Sequence, residues 1–255
     1  MILDETTYRE IYANLNRYSD INRMWMKNRK FSKEFYLVVY TQKTIREVTT
    51  KFQRIKSRSK ELIHKWNRGN SLLEISREIN FSPVMTAFLI ITGQEYGRKS
   101  FRKMINDPRS IKDTRLSKEL IEVREEDQVY SPEGNQVQRK RGILGEEKLK
   151  VWLDEHNIEY KREEELRERG GKTPDFLLER PIFFRGEEIN WIESKASMGD
   201  LKEVKKNLKK QLSSYDELFG PGMVIYWFGI IDDLPVKQGI VIETEEVLDD
   251  HWDLN

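Results

Sequence analysis

The hydrophobic pattern changes period near Arg141, and that switch excludes a uniform architecture. Before it, the first hundred residues hold a single proline, Pro83, and read as short stretches of helical spacing. After Gly142, helical and strand-like runs alternate. A chain of 255 residues is also long for one domain at roughly 150 residues each. The expectation is a two-domain α+β protein, with an N-terminal all-α region followed by a mixed α/β sheet flanked by helices. Its boundaries are placed at residues 1–106 for the helical region, 107–141 for a connector and 142–255 for the sheet-bearing domain.

The helical region carries its own punctuation. Lys60 to Arg68 reads as a helix ended by Gly69. Ser71-Leu72-Leu73-Glu74 is a capping box, in which hydroxyl and carboxylate satisfy each other's free backbone N–H groups. That second helix is expected to end near Asn80. Ser82-Pro83 then supplies an N-cap and a first-turn proline for a third helix that stops at Gly93. This is helix-turn-helix spacing. Asn28-Arg29-Lys30-Phe31-Ser32 echoes Glu78-Ile79-Asn80-Phe81-Ser82 fifty residues later, which suggests a tandem unit. The third helix, Pro83 to Ile91, has no Arg, Lys, Asn or Gln with which to read base edges, so sequence-specific readout is not expected; a phosphate-contacting, shape-reading module and plain helical packing account for its apolar residues equally. Lys51, Arg54, Lys56 and Arg58 form a basic run before it that suits such a backbone, though a solvated helix face explains the run equally.

In the connector, Leu116 to Glu126 is helical and Ser131-Pro132-Glu133-Gly134-Asn135 reads as a turn. Beyond it, Leu144 to His156 follows helical spacing. The strand-like runs are Ile158 to Lys161, Asp175 to Leu178, Ile189 to Ala196, Met223 to Phe228 and Gly239 to Ile242. A turn at Arg185-Gly186 separates the second from the third, and an amphipathic helix through Leu201, Val204, Leu208, Leu212 and Tyr215 separates the third from the fourth.

Charge follows the same boundary. Residues 1–141 hold 29 Lys and Arg against 18 Asp and Glu, a net +11, whereas residues 142–255 hold 16 against 26, a net −10. One part suits a polyanion, and the other holds carboxylates for another purpose such as a metal ion. The absence of cysteine excludes disulfides, thiolate zinc sites and cysteine nucleophiles. His64, His156 and His251 complete no zinc pattern. No apolar run approaches the roughly 20 residues of a membrane helix, and Met1 to Glu5 opens no secretory signal. An intracellular protein is expected, cytoplasmic, or nuclear in a eukaryote.

Within the acidic half, Asp175 follows Pro174 at the mouth of a strand. Glu193 and Lys195 lie two apart on the next strand and therefore on one side of the sheet. Two carboxylates and the Ser194 carbonyl are hard oxygen donors suited to Mg²⁺ or Mn²⁺. Lys195 beside them can position a water or offset charge on phosphorus oxygens. Glu146, in Gly142-x-x-Gly145-Glu146, is a further ligand candidate in competition with Glu147. Gln211 and Tyr215 share one helical face at i, i+4 spacing. Lys172, Lys205 and Lys209 stand near these elements as candidate backbone contacts.

At these residues the chain resembles the PD-(D/E)xK, or restriction-endonuclease-like, nucleases. Thr173-Pro174-Asp175-Phe176-Leu177-Leu178, Trp191-Ile192-Glu193-Ser194-Lys195-Ala196-Ser197 and Phe219 to Trp227 are similar to the TPD-motif group within them, the codanin-1-interacting-nuclease-like family. The resemblance implies a Mg²⁺- or Mn²⁺-dependent nuclease with Asp175 and Glu193 as metal ligands and Lys195 as catalytic lysine. Glu146 and Gln211 assist by the same analogy, and Tyr215 stands on the helical face that carries Gln211. The implied substrate is nucleic acid, DNA ahead of RNA and structured rather than sequence-defined. A homodimer is compatible, because many nucleases of this fold pair to cut two strands. The alternatives are a DNA-binding or adaptor protein without turnover, and an RNA nuclease.

Overall fold

The computed structural model describes residues 1–94, 96–166, 172–235 and 237–252. The chain divides into two compact units, one formed by Met1–Tyr40 with Lys140–Asn255 and the other by Thr41–Arg139. Among the described residues no helix is long and apolar enough to cross a membrane.

The first unit opens with a short strand β1 (Ile2–Leu3) and two helices, α1 (Glu5–Asn14) and α2 (Tyr18–Lys27). Asp4 starts α1 by accepting the Thr7 N–H at 2.8 Å, the role its short carboxylate favours. Helix α3 (Lys33–Ser57) begins on Ser32, whose hydroxyl accepts from Phe35 N at 3.0 Å. The apolar residues Leu3, Tyr8, Ile11, Leu15, Phe31, Phe35 and Tyr36 form one buried cluster with Met198 and Ile231. This corrects the expected boundary. Residues 1–40 do not join the helical region, because β1 pairs in parallel with a strand at Ile230–Ile231 and their side chains share its core. The Asn28–Ser32 and Glu78–Ser82 echo is a likeness of two capping serines, Ser32 and Ser82, that fall in different units.

The second unit contains α4 (Ser59–Asn67), α5 (Leu72–Glu78), α6 (Pro83–Thr92), α7 (Arg98–Asn106) and α8 (Thr114–Glu126). The punctuation acts as the sequence implies. Gly69 takes a φ of +106° after α4. Both halves of the Ser71–Glu74 capping box form, at 2.7 and 3.2 Å, and Ser82 accepts from Met85 N at 3.1 Å. The stretch from 107 is not a connector. Leu116, Leu120 and Val123 of α8 are buried with Leu62, Leu72, Ile75 and Ile90 in one core, so α8 is a full member of the unit. Nor is Ser131 to Asn135 a turn. Ser131 Oγ accepts from Gly134 N at 3.0 Å and Pro132 opens α9 (Pro132–Glu155), the same serine–proline start as at α6. Gly142 thus lies inside a helix of 24 residues rather than at its opening.

After α9 come β2 (Tyr160–Arg162), a one-turn α10 (Glu163–Leu166), β3 (Phe176–Phe184) and β4 (Glu187–Lys195). Arg185 and Gly186 join the last two with φ of 49° and 83°, the doubly left-handed turn that suits a tight hairpin. Helix α11 (Leu201–Asn207), a π-helical turn at Leu208–Leu212 and α12 (Ser213–Phe219) lead to β5 (Gly222–Tyr226), β6 (Ile230–Ile231) and β7 (Ile240–Thr244). The main sheet has the order β2-β3-β4-β5-β7. Its first two pairings are antiparallel and its last two parallel. All five expected strands exist; four differ by a few residues at their ends, and β3 runs on past Leu178 to Phe184.

Alternation along β4 and β5 separates the two faces. Ile192, Met223 and Ile225 pack with Leu149, Trp152 and Leu153 of α9. Trp191, Val224 and Tyr226 pack with Val204, Leu212 and Tyr215 of the α11–α12 segment. Glu193 and Lys195 share the second face, which points their polar ends toward the π-helical turn.

Candidate active site

Register brings the two carboxylates together. Phe176 of β3 lies opposite Ile192 of β4, so Asp175, one residue before the strand, meets Glu193, one residue after Ile192. Opposed residues of an antiparallel pair share a face. Two backbone N–H groups lock the arrangement, with Asp175 N donating to Glu193 Oε2 at 3.2 Å and Ser194 N to Asp175 Oδ2 at 2.8 Å. Lys195 Nζ donates to Glu193 Oε1. Gln211 Nε2 donates to the same oxygen at 2.5 Å from the π-helical turn. Such turns occur disproportionately at functional sites, because the extra residue re-aims a side chain without ending the helix.

Electrostatics follow from this crowding. Glu193 is only 4% exposed. Burial first, and then repulsion from Asp175, push its carboxyl up to about 7, against the opposing pull of Lys195. Burial likewise raises Asp175, while Lys195 and the Ser194 N–H act to lower it. Two carboxylates facing one ammonium leave a net negative charge in a site largely removed from water, which a hard divalent cation relieves. The donor set therefore fits Mg²⁺ or Mn²⁺ in kind. Among the described residues, however, no group of three or more His, Cys, Asp or Glu side chains is gathered for a metal.

Glu146 explains the shortfall. Its Oε2 accepts from Arg162 Nη2 at 3.1 Å, while Arg162 Nη1 reaches Glu147 Oε1 at 3.4 Å. Burial, then the charge of Asp175, raises the Glu146 carboxyl, so the two acids feel each other's charge. Arg162 itself was not signalled by the sequence. It follows a strand-like run and matches no motif, and only the pairing of Arg162 with Phe176 sets it beside Asp175.

Tyr215 faces the site but touches neither carboxylate, since its hydroxyl donates to Thr173 O at 2.7 Å. Lys172 donates to the carbonyl of Lys210 in the π-helical turn, an engagement that takes it away from a free backbone contact. Together these bonds tie the Lys172–Asp175 segment to the helix that carries Gln211. Trp227 is a second unforeseen member, donating through Nε1 to Ser194 Oγ at 2.7 Å. Its signal was the glycine at 145: a Cβ there would stand 2.4 Å from Trp227 Nε1. Of the other basic candidates, Lys205 and Lys209 are exposed in this unit. In the helical unit Lys51 donates to Asn80 O at 3.1 Å, Arg58 makes two bonds to Glu61, and Arg54 and Lys56 are exposed.

Asp175, Glu193 and Lys195 thus form one buried charged cluster where β3 and β4 meet. The chain belongs to the family described as "Protein of unknown function TPD sequence-motif", whose model matches residues 112–246. It is 35% identical to the CDAN1-interacting nuclease 1 of Danio rerio over 182 residues, which are 68% of this chain and 61% of that protein. The Xenopus laevis protein of the same name is 36% identical over 68% of this chain and 60% of its own length. The Homo sapiens protein is 35% identical over 68% and 65%. The match thus spans about three fifths of the length of these curated relatives. No solved structure matches the chain.

Proposed function

We propose that this chain is a divalent-metal-dependent nuclease of the PD-(D/E)xK, restriction-endonuclease-like kind, hydrolysing phosphodiester bonds of structured DNA. The observation that carries the reading is the convergence of Asp175, Glu193 and Lys195 on one sheet face, with Gln211 closing over Glu193. The name of the relatives supports it. Asp175, Glu193 and the Ser194 carbonyl would hold Mg²⁺ or Mn²⁺, with Glu146 reached through water. When bound, the ion supplies charge neutralisation for phosphoryl oxygens and a more acidic water.

The chain's own groups have separate tasks. Glu193, fixed by Lys195 and Gln211, is pre-oriented, so little reorganisation is needed when substrate arrives. The Lys195 ammonium faces the position of the attacked phosphate and stabilises charge that grows there. Tyr215 is a positioning residue that holds Thr173, and through it Asp175. Arg54 and Lys56 of the helical unit, with Lys205 and Lys209, offer charge to a nucleic-acid backbone without reading bases.

The test incubates purified protein with Mg²⁺ or Mn²⁺ and matched duplex, flap, junction and single-stranded DNA, with RNA counterparts, alongside Asp175→Ala and Lys195→Ala. Cleavage of structured DNA that both variants abolish is expected. Equal cutting by variants and parent assigns the activity to a contaminant, preferential cutting of RNA replaces the substrate, and salt-sensitive binding without turnover under any divalent ion leaves a binding protein.

A further inference from the structure

The stretch from the end of α2 to the first residue of α3 carries a concentration of positive charge that the site does not use. Lys27, Arg29, Lys30 and Lys33 fall within seven residues and are all exposed, and among the described residues none is within ion-pair distance of a carboxylate, though the charge of Lys30 is felt by Asp4. The contrast with the basic run of the helical unit is direct, since there Lys51 and Arg58 are already engaged by Asn80 and Glu61. Four unpaired cations at this spacing repel one another, so the fold must hold them in place, and it does. Lys30 N donates to Asn28 Oδ1 at 3.0 Å, and Tyr36 OH to Asn28 O at 2.9 Å. Phe31 is 3% exposed and stacks on Phe35 at 4.9 Å between centroids, which pins the middle of the segment into the core.

The cations are also arranged on rings. The Arg29 guanidinium lies 3.9 Å from the Trp25 centroid, Lys33 Nζ lies 6.0 Å from the same ring, and Lys30 Nζ lies 5.7 Å from Phe31. A guanidinium seated over an indole presents a planar, positively charged group. Unpaired bases stack on such planes while the phosphates beside them meet the remaining ammonium groups. A duplex hides its base faces and gains from the charge alone.

We infer that Trp25–Lys33 is a binding site for single-stranded nucleic acid, gripping the backbone with Lys27, Arg29, Lys30 and Lys33 and offering the Arg29–Trp25 plane to a base. The inference deepens the nuclease reading, on which it rests, by stating which part of a structured substrate the sheet-bearing unit holds: an unpaired arm. Single-strand binding commonly combines such a basic track with stacking platforms.

The full chain is titrated with a fluorescein-labelled oligothymidine and with a matching duplex, by anisotropy, in EDTA so that nothing is cut. The combined Lys27→Glu, Lys30→Glu, Lys33→Glu variant is expected to bind oligothymidine at least about tenfold more weakly. Its plot of log affinity against log salt should flatten by about 2, near 0.7 for each lost single-strand contact. Arg29→Lys keeps the charge but removes the plane, and should weaken oligothymidine binding more than duplex binding. A control with three reversals elsewhere, Arg9→Glu, Lys112→Glu and Lys118→Glu, should lose clearly less, and circular dichroism melts verify that every variant folds. Equal losses in patch and control variants overturn the inference. So does a patch reversal that leaves oligothymidine affinity intact while abolishing binding to phosphatidylserine vesicles. Cleavage is scored separately with Mn²⁺. Binding through the patch without any cutting would sink the nuclease reading alone, whereas cutting with patch-independent binding would sink this inference alone.

Discussion

Each of the two units buries carboxylates, and the contrast between them separates an acid used as a structural tie from one held beside a second acid. In the helical unit Asp127 is 5% exposed and accepts bonds from Ser82 Oγ, Val84 N, Val129 N and Tyr130 N. Glu119, 7% exposed, accepts from Trp66 Nε1, Leu72 N and Arg115 Nε. Both join helix starts and loops to the core, and no second carboxylate competes for their donors. In the sheet-bearing unit Glu193 is just as buried, but its donors come with a second acid, Asp175, bonded into the same ladder. Burial alone is therefore uninformative. Like charges held together against their repulsion single out a candidate site, because the surrounding fold must hold them there.

That contrast can be broken at either end. The largest effect expected is on turnover: Asp175→Asn and Lys195→Ala should each lower cleavage by about 10³-fold or more, equivalent to roughly 4 kcal/mol at the barrier, with unchanged circular dichroism. Single-turnover rates on a flap substrate measure it, and a fall below tenfold would place these groups outside the chemistry. Asp127→Ala should act in the opposite way. Losing four bonds and leaving buried N–H groups unsatisfied should lower stability by about 3 kcal/mol, read as a shift in the urea midpoint. Its cleavage rate, scaled to folded protein, should be unaffected.

Tyr215→Phe probes the layer between those extremes. The ring stays in its core and only the bond to Thr173 O is lost, a change of about 1 kcal/mol. If Tyr215 serves the site by holding the Thr173–Asp175 segment, kcat falls about fivefold to tenfold with KM nearly constant. A drop in melting temperature without any change in kcat would reduce it to a core residue.

How much of this was legible depends on the range of the interaction that decides each feature. The starts of α5 and α6 were readable because Ser71, Glu74, Ser82 and Pro83 act within three residues of themselves. The strand carrying Glu193 and Lys195 was readable because alternation sets their common face. By contrast, the place of residues 1–40 has no local signal, since the β1–β6 pairing that captures them joins positions more than two hundred residues apart. The Ser131–Asn135 segment looked like a turn because Ser, Pro, Gly and Asn favour both turns and helix starts, and only the continuation into α9 decides between them. The π-helical turn under Gln211 had no local signal at all, as i, i+4 spacing reads the same until packing inserts the extra residue.

The smallest expected effect comes from Gly142 and Gly145, two of the three glycines inside α9, and it sharpens the same distinction between a residue that fills a structure and one that serves a site. In an exposed helix interior, alanine is favoured over glycine by about 1 kcal/mol, because glycine loses more backbone freedom on folding. At Gly142 a Cβ meets nothing within 4 Å, so Gly142→Ala should raise stability by about 0.5–1 kcal/mol. At Gly145 the same methyl would stand 2.4 Å from Nε1 and 2.7 Å from Cδ1 of Trp227, closer than atoms can approach. The indole must move, and its bond to Ser194 Oγ moves with it. The propensity gain is then cancelled or reversed, and the Asp175–Ser194 contact next to it loosens. Paired melts of the two variants, with cleavage rates for each, test the point. Gly142→Ala should be stabilised with parental activity, and Gly145→Ala should gain no stability and lose severalfold in rate. Equal gains at both positions would mean that Trp227 yields freely and does not brace the strand on which Glu193 sits.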